Sequence, residues 1–331
     1  MKTLRIAALL IPLLLGAALA CTIAFGGPGH PPPMASIADP FRSVDFSGVP
    51  APRRFTARDG RVLVFHGYPP QGAARGSVVL VHGSSARGSS MHVMAQALAG
   101  AGYAAYALDM RGHGNSGTRG QIDYIGQLED DLEDFMVAVA PTRPTTLAGF
   151  SSGGGFSLRF AGSTRQQLFD NYLLLAPFVS QDAPTYRPDS GGWVSVGLPP
   201  ILAIAMLDAL GLRAFNALPV TRFAITENAR PHLTAEYSFA LAQNFRPHAD
   251  YRENIRAVRQ PLAVLAGEDD EAFHADRFAQ VFGNAGHAVP VTLLPGVNHI
   301  RLTLDAAAVQ AAVAAVERLD AAAAPHAPGK P

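Results

Sequence analysis

Only one cysteine, Cys21, stands among the 331 residues, which excludes an internal disulfide and any multi-cysteine metal centre. Stability must come from packing, and a hydrophobic content of 48% supplies the material. Charge is scarce at 16%, and Lys plus Arg match Asp plus Glu at 26 each. No excess of either sign steers the chain toward polyanions, so nucleic acid is not an expected partner. The length suits one large catalytic domain carrying an insertion, or two small domains.

What is there begins with a targeting signature. Lys2 and Arg5 precede an apolar run from Ile6 through Phe25, broken only by small residues, Thr22 and Pro12. Residues 1–25 therefore read as a signal peptide or an N-terminal membrane anchor. Ala18-Leu19-Ala20 fits the small-x-small pattern of signal cleavage, which would leave Cys21 first in the mature chain, where a bacterial lipoprotein carries its lipid. Retained instead, the run would tether the protein, with Lys2 and Arg5 holding the short terminus in the cytoplasm. Both versions predict membrane association or export, with the catalytic domain outside the cytoplasm, in the periplasm or cell envelope of a bacterium. Residues 26–50 open with Gly26-Gly27-Pro28-Gly29-His30-Pro31-Pro32-Pro33, which cannot join a helix or a sheet ladder and reads as a linker.

From about Phe55 short apolar, β-branched runs alternate with longer periodic stretches, the pattern of a mainly parallel sheet flanked by helices, an α/β fold. Strands are expected at 62–65, 78–81, 104–108, 145–149, 172–175, 262–266 and 291–294. Leu128, Leu132, Phe135, Met136 and Val139 recur at helical spacing, with Glu129, Asp130, Glu133 and Asp134 on the opposite side, which predicts an amphipathic crossover helix. The rhythm fails over 177–259, where prolines, Trp193 and an apolar run from Leu198 to Leu212 intervene. This segment reads as an inserted, mainly helical cap. The α/β core is then split into 51–176 and 260–320, and the alanine- and proline-rich 321–331 reads as a disordered tail.

Gly149-Phe150-Ser151-Ser152-Gly153 matches G-x-S-x-G directly after an apolar strand, with Gly154 and Gly155 opening a helix. In that strand-turn-helix setting the serine stands on a tight turn, and the helix N-terminus behind it favours developing negative charge. A serine hydroxyl is a weak nucleophile that needs a base, itself oriented by a carboxylate. Both follow downstream: 261–267 ends in Glu268-Asp269-Asp270-Glu271, and 291–294 leads into Pro295-Gly296-Val297-Asn298-His299. Loops at the carboxyl ends of parallel strands converge on one crevice, so these groups can meet.

Among eleven histidines, His287 precedes its strand and falls at the wrong end of the sheet, and His274 falls in a helix; His299, on the loop after a strand, leads as the base, the alternative being an ordinary surface-loop histidine. Asp270 is the chosen acid, with Asp269 its rival. Asp109 belongs instead to a structural turn with Arg111, Gly112, His113 and Gly114. The oxyanion of a tetrahedral intermediate needs two backbone N–H donors, expected from Ser152 and from Ser84 in His82-Gly83-Ser84-Ser85. The chemistry calls for no cofactor and no metal.

Gly112-His113-Gly114-Asn115-Ser116-Gly117 also matches G-x-G-x-x-G, but Asp130, about twenty residues on, lies within the crossover helix instead of ending a strand, so a dinucleotide site fails on context. A catalytically inactive binding protein with the same fold is a further alternative.

The set His82-Gly83-Ser84, Asp109 to Ser116, Gly149 to Gly153, the acid after Gly267 and Pro295 to His299 resembles the α/β-hydrolase superfamily over roughly residues 50–320. Within it the chain is most similar to monoacylglycerol lipase and lysophospholipase-like enzymes, grouped with serine aminopeptidase-like hydrolases. The resemblance implies Ser151 as nucleophile, Asp270 as acid, His299 as base and Ser84 and Ser152 as oxyanion donors. It implies a small ester or lipid substrate, such as a monoacylglycerol or a lysophospholipid, with small exported peptides or amides as the alternative. Lipases of the group often have Gly-His-Ser-Met-Gly at the nucleophile, where this chain has Phe150 and Ser152. The apolar run of the cap could line an acyl pocket or dip into a lipid surface.

Overall fold

The computed structural model describes residues 2–323, with the side chains of residues 2–12, 35, 38 and 323 outside the description. Its strands are β1 (Arg53–Thr56), β2 (Val62–Tyr68), β3 (Ser77–Val81), β4 (Ala104–Leu108), β5 (Thr145–Phe150), β6 (Asn171–Leu175), β7 (Val194–Val196), β8 (Pro219–Phe223), β9 (Glu236–Ser238), β10 (Leu262–Gly267) and β11 (Val291–Leu294). Eight of them form one sheet in the order β1-β2-β4-β3-β5-β6-β10-β11. The pairings β1/β2 and β2/β4 are antiparallel, and every pairing from β4 to β11 is parallel.

The continuous apolar runs have a direct cause. Every residue of β3, β5, β6 and β10 is buried, as expected of central strands covered on both faces. The helix Gln127–Val139 follows its predicted stripe, burying Leu128, Leu132 and Phe135. Phe135 meets Phe55 and Phe65 edge-on at ring separations of 5.5 and 5.3 Å. Its acidic side is less simple than the periodicity suggests. Glu129 is buried, with Arg159 2.5 Å away and Asn244 also donating to it.

The insertion between β6 and β10 contains the helix Leu198–Ala209 and a three-stranded antiparallel sheet, β7-β8-β9, which the sequence did not announce. The helix Lys2–Phe25 packs against Leu198–Ala209, and no helix among the described residues is long and apolar enough to cross a membrane. The segment after it does not dangle. Residues 26–33 are free of helix and strand, as expected, but the Met34 N–H donates to the Ala224 carbonyl at 3.1 Å, and Arg222 donates to the Pro28 carbonyl and the His30 ring. Met34, Ile37 and Phe41 pack on the main core. At the other end the helix Ala306–Ala323 runs three residues into the segment read as a tail; residues 324–331 lie outside the described residues.

Candidate active site

The carboxyl ends of the parallel strands carry the predicted groups. Ser151 follows β5 with φ +55° and ψ −118°, a backbone conformation that L-residues rarely hold unless the surroundings impose it. Here they do. The Ser151 N–H donates to the Leu175 carbonyl at 2.9 Å, and the Ser151 carbonyl accepts from Gly155 and Phe178 at 2.9 and 3.0 Å. Gly153, in the first turn of the helix Ser152–Ala161, is pressed against the end of β3, where a Cβ would overlap the His82 carbonyl oxygen. The turn thus lifts the Ser151 hydroxyl toward the crevice at the N-terminus of a ten-residue helix.

His299 lies on the loop after β11, with Nε2 3.0 Å from Ser151 Oγ and Nδ1 2.8 Å from Asp270 Oδ2. A carboxylate oxygen only accepts, so Nδ1 carries the proton and Nε2 presents its lone pair to the serine hydroxyl. Asp270 is fixed in turn, since its Oδ1 accepts from the Ala272 and Phe273 amides, both at 2.8 Å. All three side chains are buried.

The backbone decides among the four adjacent carboxylates. Glu268 and Asp269 point into solvent, and Asp270 is buried. The Glu268 and Asp269 amides donate to the Leu294 and Val297 carbonyls, lacing the loop after β10 to the loop after β11. A Cβ on Gly267 would collide with the Val297 carbonyl, so only glycine permits the approach that brings Asp270 to His299. Glu271 contributes what sequence reasoning missed: its Oε2 accepts from the His299 amide at 3.0 Å. His274 and His287 stay outside this set. Asp109 has the structural role expected of it, accepting from the Gly88 and Asn115 amides, and no helix follows the Gly112–Gly117 turn until Gln127.

Ser84 and Ser152 line the same cavity as Ser151 and His299. Among the described residues neither backbone amide donates a hydrogen bond, so both are free to serve a developing oxyanion. The Ser84 loop is braced from the cap, again unforeseen. The Trp193 indole Nε1 donates to Ser84 Oγ at 2.8 Å, and Tyr237 Oη accepts from the Ser85 amide at 2.6 Å, where Ser85 holds φ +66°. Tyr237 Oη also lies 2.6 Å from His113 Nε2. The His113 Nδ1 faces the Arg111 carbonyl, so Nδ1 holds the ring proton and the phenol donates to Nε2. Burial pushes the His82 and His113 pKa values down, with the two rings repelling each other's charge at His113, so both are held neutral. Burial likewise raises the Tyr237 hydroxyl above its ordinary value.

In front of Ser151 opens a cavity of about 410 Å³. Its walls are largely apolar: Phe150, Phe178, Trp193, Ile201, Phe223 and Phe273 contribute from the core and cap, and Met34, Ile37 and Phe41 from the segment after the N-terminal helix. The predicted linker is thus a wall of the crevice. No Asp or Glu side chain is among the described residues lining it.

Three comparisons bear on this arrangement. The family model for serine aminopeptidase, S33, matches residues 72–303. The chain is 36% identical over 271 residues to the non-heme chloroperoxidase CPO-A1 of Kitasatospora aureofaciens, covering 73% of this chain and 93% of that protein. It is also 38% identical over 107 residues to a monoacylglycerol lipase of Mycolicibacterium smegmatis, a match spanning 30% of this chain and 38% of that lipase. Among solved structures, a soluble variant of monoglyceride lipase from Saccharomyces cerevisiae superposes with a TM-score of 0.62 at 17% identity, over 84% of this chain and 98% of that one. The monoacylglycerol lipase of Paleococcus ferrophilus gives 0.58 at 19% identity, over 78% and 98%. These likenesses show the fold.

Proposed function

The chain belongs to the serine aminopeptidase, S33, family of α/β-hydrolases, and we propose that it cleaves carboxylic esters with lipid-like acyl chains through an acyl-enzyme on Ser151. The hydrogen-bonded series Ser151, His299, Asp270 at the floor of an apolar cavity carries this reading. Ser151 Oγ attacks the ester carbonyl carbon as its proton passes to His299 Nε2. Asp270 holds the ring in register and stabilises the imidazolium. The carbonyl oxygen, now negative, receives the free Ser84 and Ser152 amides. The tetrahedral intermediate expels the alcohol, which takes the proton from His299. Water then attacks the acyl-enzyme with His299 as base, releasing the acid and restoring Ser151.

An aminopeptidase reading is less well supported. Holding a peptide's ammonium group calls for a carboxylate in the substrate cavity, and none lines it among the described residues. The apolar walls favour an acyl chain. The proposal extends to location: export or membrane tethering through residues 1–25 rests on Lys2 and Arg5 ahead of the apolar run.

The test is a panel of short- and long-chain p-nitrophenyl esters, monoacylglycerols, lysophospholipids and aminoacyl anilides offered to the purified protein. Ester turnover exceeding anilide turnover by orders of magnitude is expected; faster cleavage of the anilides would overturn the ester assignment.

A further inference from the structure

The cavity wall contains a cation that the hydrolytic mechanism does not use. Arg246 lines the same cavity as Ser151. Its guanidinium carbon lies 5.7 Å from the ring centre of Phe178, the residue whose amide holds the Ser151 carbonyl. Its Nε is buried with no hydrogen-bond partner. Among the described residues its guanidinium forms no ion pair within 4.0 Å and no side-chain hydrogen bond, whereas neighbouring Arg159 is matched by Glu129 at 2.5 Å. Two acidic groups act on Arg246 through space, the Asp182 carboxylate, which sits on the exposed surface, and the Tyr186 phenol, which lines the same cavity and is neutral at its raised pKa. Burial, with repulsion from Arg159, disfavours the charge at Arg246, and leaving such a group without a counter-ion is costly in a folded protein. A second arginine, Arg87, lines the cavity, and no Asp or Glu lines it among the described residues.

We infer that Arg246 is an anion subsite, so that the ester cleaved at Ser151 carries an anionic oxygen group, a carboxylate or a phosphate, seated on the Arg246 guanidinium. The inference deepens the ester-hydrolase reading and rests on it. A guanidinium presents its donors in a planar fork matched to carboxylate and phosphate oxygens. The substrate's anion would supply the missing counter-charge, and its apolar chain would occupy the remaining wall. Neutral monoacylglycerols would leave the guanidinium unpaired.

Two matched pairs of esters locate the anion. One sets p-nitrophenyl hydrogen suberate, with a free carboxylate on the acyl side, against its methyl ester. The other sets 1-acyl lysophosphatidic acid, with a phosphate on the alcohol side, against the monoacylglycerol of equal chain length. In at least one pair kcat/KM should favour the anion by about tenfold or more, the scale of a charge-assisted hydrogen bond. Arg246→Met should bring that ratio close to unity. Charge-indifferent turnover by the parent, or a preference that survives in Arg246→Met, overturns the subsite.

A binding measurement on the parent protein stands apart from both turnover and the folding of the variant. The only tryptophan, Trp193, lines the cavity, and its fluorescence reports occupancy. Dodecanoate or dodecyl phosphate should bind at least about tenfold more tightly than dodecanol, and equal binding of all three overturns the subsite. Failure of the ester reading has a different signature: no ester in either pair is turned over, whatever the fluorescence shows.

Discussion

The Trp193 indole of the cap donates to the Ser84 hydroxyl of the core at 2.8 Å, tying the lid of the crevice to the loop that offers an oxyanion amide. Trp193 also packs on Phe223 of β8, the rings tilted at 31° with centres 5.5 Å apart, so phenylalanine in its place keeps an aromatic contact and removes the hydrogen bond. Trp193→Phe should lower kcat for p-nitrophenyl butyrate by about threefold to tenfold, the worth of one neutral hydrogen bond. Steady-state kinetics check this, and an unchanged kcat would show that Ser84 is positioned without the cap.

Neutral His82 and His113 give stability a pH dependence of known sign. Each is buried with a pKa lowered from the ordinary 6.5, so below pH 6.5 the unfolded chain binds protons that the folded chain refuses. Stability is full above 6.5 and falls with acidification until the folded rings themselves take up protons, each ring contributing at most about 1 kcal/mol per pH unit. Urea unfolding at pH 7.5, 6.5 and 5.5 measures the slope. His113→Gln should flatten the acid limb relative to the parent, and should also lower stability at pH 7.5 by disturbing the Tyr237 contact.

The wall formed by Met34, Ile37 and Phe41 predicts a specificity effect from a segment outside the α/β core. Shortening Met34 removes apolar contact with a long acyl chain but leaves the reacting end untouched. Met34→Ala should reduce kcat/KM for octanoyl relative to acetyl p-nitrophenyl ester by about tenfold, near the transfer energy of two methylenes. A chain-length series measures it, and an unchanged profile would detach this segment from substrate choice.

Much of the core and the reactive series was legible in the sequence because each depends on short-range rules. Fully buried strands such as β3 and β5 need unbroken apolar runs, and the Ser151 turn needs small residues at fixed offsets. Asp270 and His299 were legible because carboxyl-end loops must converge. What stayed hidden depends on distant segments meeting. The strands β7 and β9 are three residues long and carry Ser195 and Glu236, too short and polar for periodicity to mark. Glu129 reads as a solvated helix face until Arg159 and Asn244 arrive from elsewhere. The Pro/Gly-rich composition after Phe25 correctly excluded regular structure at 26–33, yet carried no sign that Met34 to Phe41 would line the crevice. Arg246 gave no motif at all; what distinguishes it is the lack of a partner among the described residues.

The central claim, acyl transfer through Ser151, is tested most directly by labelling with a fluorophosphonate and weighing the intact protein. The parent should gain one adduct while losing turnover of p-nitrophenyl butyrate, and Ser151→Ala should gain none and hydrolyse the ester about a thousandfold more slowly or worse. Adduct formation on Ser151→Ala equal to that on the parent would contradict the account.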